Sequence, residues 1–142
     1  MIQGKETSPK TDDYNCIAWA TEDDSNFWWP RGFPPYFWPE GIELEETLGA
    51  FIKAFETCGF KVCDNELFEQ GFEKIAIYID EYATPKHAAR QIDKDTWTSK
   101  LGSDIDIVHP FISKWSEIWV GGKKYDLSFY GKLAQIMKRK NN

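Results

Sequence analysis

Thiols, imidazoles and cationic charge are all scarce in these 142 residues: three Cys, two His and 17 Lys plus Arg against 23 Asp plus Glu. An odd cysteine count without disulfide-rich spacing excludes a stapled secreted scaffold and fits a reducing compartment. Cys58 and Cys63, separated by four residues across Gly59 and with no histidine near in sequence, do not make a tight metal knuckle, and no metal is expected. No stretch approaches the ~18 apolar residues of a membrane helix, so no membrane partner is expected. The opening residues, Met-Ile-Gln-Gly-Lys-Glu-Thr-Ser-Pro-Lys, carry charge but no apolar run; no secretory leader is expected, and the expected location is cytoplasmic. The net charge of −6 speaks against nucleic acid, which needs a cationic face. The basic run Lys138-Arg139-Lys140 is too short to reverse that. No glycine-rich loop cradles phosphate, so no cofactor is expected.

What is present suits one ordinary domain. Hydrophobic residues make 42% and charged residues 28%, enough for a core and for solubility without a staple. Aromatics are plentiful, with seven Trp, six Tyr and ten Phe. They crowd into one stretch: Phe27, Trp28, Trp29, Phe33, Tyr36, Phe37 and Trp38.

Residues 1–12 are polar and read as a flexible N-terminal arm, with a single domain over 13–142. A short helix is expected from Tyr14 to about Glu22, capped by Asp13 or Asn15, with Cys16 in its first turn. The prolines and glycines of 23–41 predict an irregular loop packed by its own aromatics. Leu44, Leu48, Phe51, Ile52 and Phe55 recur at three and four, predicting an amphipathic helix from Glu43 to Cys58 that Gly59 ends. Strands are expected at 60–62 and Lys74–Asp80, then a hairpin of His87–Ile92 and Thr96–Leu101. A helix is expected around Ile105–Trp115, interrupted by Pro110, then a turn at Gly121-Gly122 and a final strand or helix over Tyr125–Lys138. The sum is an α+β fold: a Cys-bearing helix and an amphipathic helix packed on an antiparallel sheet.

Chemistry points first to Cys16, because a helix N-terminus stabilises a thiolate. A histidine must then hold the ion pair and protonate the leaving group, and His87 opens a predicted strand. Cysteine at a helix start followed by histidine at a strand start is the order of papain-like hydrolases. The plain alternative makes Cys16 a core residue, His87 a backbone-bonded edge residue and Asn15 a helix cap.

The blocks Tyr14-Asn15-Cys16-Ile17-Ala18-Trp19-Ala20, Gly71-Phe72-Glu73-Lys74-Ile75-Ala76-Ile77-Tyr78, His87-Ala88-Ala89-Arg90-Gln91, Trp97-Thr98-Ser99-Lys100-Leu101-Gly102 and Asp106-Ile107-Val108-His109 resemble, in that order, a family of small, mostly bacterial, uncharacterised domains. More distantly, that family resembles papain-like Cys-His hydrolases of the cell-wall amidase type. The resemblance implies hydrolysis or transfer at an amide or thioester carbonyl of a peptide or similar substrate, with Cys16 as nucleophile and His87 as base. The third member stays open among Ser99, Asp104 and Asp106, with His109 a further option more simply read as a loop tether. Asn15 or the Cys16 amide would serve the oxyanion. The aromatic stretch has two readings of its own. Trp28, Trp29 and Trp38 could line the substrate side, or loop 27–38 could hold a peptide or glycan in a binding module without catalysis; packing of the loop is the plain role.

Overall fold

The computed structural model describes residues 2–9, 13–101 and 104–141. In chain order the elements are β1 (Ile2–Ser8), α1 (Cys16–Ala20), β2 (Phe27–Trp28), β3 (Tyr36–Phe37), α2 (Leu48–Glu56), β4 (Lys61–Cys63), β5 (Phe72–Ile79), β6 (Pro85–Gln91), β7 (Trp97–Lys100), β8 (Asp106–His109), β9 (Glu117–Val120), β10 (Lys123–Asp126), a 3-10 turn (Ser128–Tyr130) and β11 (Lys132–Lys140). Nine strands form one mixed sheet in the order β10-β9-β1-β8-β7-β6-β5-β11-β4, and β2 pairs with β3 apart from it.

This overturns the expected papain-like α+β arrangement. The helices span only five and nine residues, and the mass of the molecule is sheet. Three local readings account for the difference. Residues 105–115 supply β8 and an irregular link, because Pro110 forbids helix continuation and the β-branched Ile107 and Val108 pair readily with β7 and β1. Thr47 rather than Glu43 starts α2, its hydroxyl accepting from the Ala50 amide at 3.2 Å, so Leu44 stays in the loop and is exposed. Residues 2–8 are a strand rather than an arm, antiparallel to β8 and parallel to β9.

The sheet bends back on itself. Residues 113–115, which lead into β9, bond to the start of β11: Trp115 N donates to Gly131 O at 2.9 Å and Leu133 N to Ser113 O at 2.8 Å. Alternation along the strands then separates two cores. Ala76, Tyr78, Ala89, Trp97, Ile107, Trp115, Ile118 and Tyr130 fill the inner one. Ile75, Ile77, Ala88 and Met137 face the outer one, under α1, α2 and Trp28. Among the described residues no helix is long and apolar enough to cross a membrane.

Candidate functional site

Asn15 caps α1, its Oδ1 accepting from the amides of Ala18 at 3.2 Å and Trp28 at 3.0 Å, while Nδ2 donates to Trp28 O at 2.6 Å. The side chain is thus a cap and a clamp, and both its ends are occupied. Cys16 follows at the first helical position, 7% exposed in the outer core. The amides of Ala88, Ile17 and Cys16 itself, with the Lys100 ammonium, favour a thiolate there, but burial outweighs them and pushes the thiol up to about 11. Cys16 is a protonated thiol at neutral pH.

His87 lies one residue before Ala88, yet its imidazole projects to the other side of the sheet. It pairs across the strands with Tyr78, stacks on Tyr130 with ring centroids 4.0 Å apart and meets Trp115 edge-on at 4.9 Å. All three partners belong to the inner core. No hydrogen bond joins Cys16 to His87.

The structure instead brings together His87, Ser99 and His109, on the neighbouring strands β6, β7 and β8. His87 Nε2 lies 3.0 Å from Ser99 Oγ, which lies 2.7 Å from His109 Nε2, and His109 Nδ1 lies 2.7 Å from the Pro110 carbonyl. A carbonyl only accepts, so His109 carries its proton on Nδ1. Its bare Nε2 accepts from the Ser99 hydroxyl, and Ser99 in turn accepts from His87 Nε2–H. His87 is left with a bare Nδ1, buried and without a hydrogen bond. Burial holds both rings neutral, His109 down to about 4 and His87, with the nearby His109 adding to the effect, well below the ordinary 6.5.

Other expected residues go elsewhere. Asp104 Oδ1 accepts from the Ile105 amide, and the Asp104 carbonyl accepts from Lys100 Nζ; neither touches His87. Asp106 accepts a 2.5 Å bond from Tyr14 Oη under α1, on the Cys16 side of the sheet. Burial first, then this carboxylate, raises the Tyr14 phenol. Reading residues 105–115 as helix hid this buried pair, since only strand alternation sends Asp106 and Ile107 to opposite faces.

The aromatic stretch divides. Trp28 is buried, its Nε1 donating to Asp23 at 2.9 Å. Trp29 and Trp38 both pack on Phe51 of α2, with centroids at 5.4 and 5.0 Å, and Trp38 Nε1 donates to Glu43 O at 3.0 Å. Beside them Phe33 and Phe37 stay exposed, at 57% and 39%, as does Leu44 at 56%. These three, with Arg31, Tyr36 and Trp38, line a groove of about 470 Å³. Among the described residues no cluster of three His, Cys, Asp or Glu is placed to hold a metal.

These features define a mixed-sheet β domain with a buried histidine chain inside and an aromatic groove outside. The chain belongs to the family described as domain of unknown function DUF7689, whose model matches residues 5–138, a span that takes in the second half of β1 and every block quoted above. No curated protein and no solved structure matches it.

Proposed function

We propose that this chain is a binding domain that holds an extended peptide in the groove over loop 27–44. The observation that carries the reading is that Phe33, Phe37 and Leu44 remain exposed together on a wall that is otherwise fixed. Trp38 is locked by Phe51 and Glu43, Trp29 N donates to Phe37 O at 3.0 Å, and Phe33 meets Tyr36 edge-on at 5.8 Å. A preorganised aromatic wall loses little entropy when a ligand binds. Among the described residues, Arg31 and Glu40 are the only charged side chains in the lining. A sugar ring needs more polar partners for its hydroxyls, so the chemistry favours apolar peptide side chains.

The test is selection from a random peptide library displayed on phage, followed by titration of the selected peptides. Phe33→Ala and Phe37→Ala should each weaken binding by about tenfold, as aromatic anchors do. Peptides that bind the double variant as tightly as the wild type would end this reading.

A second reading, acyl transfer or hydrolysis at Cys16, is favoured by the three amides and the Lys100 ammonium around its sulfur. It requires α1 to lift, since Cys16 lines none of the described cavities. Site-resolved alkylation across pH separates the two readings, with Cys58 and Cys63 as internal references. A binding domain labels Cys16 last of the three. Labelling of Cys16 first, below the ~8.5 of a free thiol and slowed in His87→Gln, would favour acyl chemistry.

A further inference from the structure

Where β11 begins beside the end of β5, a second cavity of about 580 Å³ opens, lined among others by Ile79, Asp80, Lys86, Lys114, Phe129 and Lys132. It uses no residue of the aromatic groove. Lys114 and Lys132 are direct partners across an antiparallel bridge, which sets their side chains next to each other. Among the described residues neither makes an ion pair, and like charges directly opposite in a sheet repel. Asp80 does not relieve them. Its Oδ1 accepts from the amides of Tyr82 at 2.9 Å and Thr84 at 3.0 Å, and Oδ2 lies 3.8 Å from Lys86 Nζ. Glu81 is the remaining acid in the lining, one carboxylate against two unpaired ammonium groups.

Three lysines therefore converge in a chain whose net charge is −6. The lining also holds Phe129, 62% exposed, and Ile79. Gly131 presses this wall into place: a Cβ there would overlap the Ile79 carbonyl. Paired cations next to an exposed ring match a ligand with an anionic head and an apolar body.

We propose that this cavity binds an organic oxyanion, its carboxylate or phosphate bridging Lys114 and Lys132 and its apolar part lying on Phe129. The experiment is titration of the labelled protein, followed through the amide shifts of Lys114, Phe129 and Lys132. Phenylacetate and phenyl phosphate are the two anionic probes, and benzylammonium is the control of opposite charge. Saturable shifts with one or both anions are expected, identifying which headgroup fits, with weaker binding as salt is raised. The double variant Lys114→Gln/Lys132→Gln should lose about tenfold in affinity for the preferred anion. Both lysines are exposed, so the fold should survive, and the variant's own amide spectrum checks this. Phe129→Ala should weaken the aromatic probes while leaving their preference for negative charge. Benzylammonium binding as tightly as the anions, an unchanged affinity in the folded lysine double variant, or the lack of saturable shifts with either anion would each overturn the proposal.

Discussion

His87 illustrates how one residue of alternation decides chemistry. Its neighbour Ala88 gives an amide to the Cys16 sulfur, while the imidazole itself lies in the inner core between Tyr78, Trp115 and Tyr130. Buried there beside His109, it stays neutral, and this has a consequence for stability. Both histidines bind protons less readily folded than unfolded, where the value is near 6.5. Between those limits the unfolded chain takes up more protons, so stability falls as pH drops from about 6.5 toward 4, by up to ~1.4 kcal/mol per pH unit for each histidine. Asp23, Asp80 and Asp126, all held below 3.8, act at lower pH, and Glu43 and Glu69, held below 4.5, act at the bottom of this window. Glu73, raised above 4.5 chiefly by burial, opposes the histidines there, so the upper part of the window reports the imidazoles. Urea unfolding at about pH 7.5 and about pH 5.5 checks the effect. The expected loss should shrink in His109→Asn, and equal stability at both pH values would contradict buried neutral rings. On the other face Tyr14→Phe keeps the stack on Trp19 at 5.3 Å but removes the donor from Asp106, whose other oxygen already has no hydrogen bond. It should cost about 1–3 kcal/mol in the same assay. A cost near zero would mean that water or a shifted side chain replaces the phenol.

Among the elements, α2 shows most simply what holds a short helix. Thr47 supplies the N-cap and Ala50, Phe51, Ala54 and Phe55 supply the buried stripe. Thr47→Ala should lower the urea midpoint by about 1 kcal/mol of stability, and Thr47→Asp, which caps equally well, should restore it. The turn into β11 is stricter. Gly131 has φ +85° and its Cβ position is filled by the Ile79 carbonyl, so Gly131→Ala should cost more than about 3 kcal/mol, or leave the protein insoluble. Wild-type thermal stability in that variant would show that the turn rearranges freely. Elements whose signal is local were legible from the chain: a cap at Asp13 or Asn15, which the structure gives to Asn15, the β-branched β5, the hairpin of β6 and β7, and the turn at Gly121-Gly122. Elements that depend on a distant partner were not. β1, polar beyond Ile2, becomes a strand because β8 and β9 both offer it free edges.

The whole molecule depends on that strand. β1 joins the β9–β10 hairpin to the rest of the sheet, and Gly4 sits where the side chains of Ile107, Ile118 and Val120 crowd to within 3.2–3.3 Å of a Cβ position. Removing residues 1–9 would expose the unpaired edges of β8 and β9 and open the inner core. Such a shortened chain should lose cooperative thermal unfolding and bind a hydrophobic dye. Retention of a sharp transition would show that the bonds between residues 113–115 and β11 close the core without β1.

By itself the sequence determined the acidic net charge, the short helix that begins at Cys16 and the aromatic character of loop 27–38, because each rests on composition or on contacts a few residues apart. It also picked out Cys16, His87 and Ser99 as residues of interest. Only the tertiary structure decided their relation. Strand pairing fixed which way each side chain points, joined Ser99 to both histidines and put Cys16 across the sheet from His87. Alternation with a period of two makes that outcome turn on register, and register is set by partners far away in the chain.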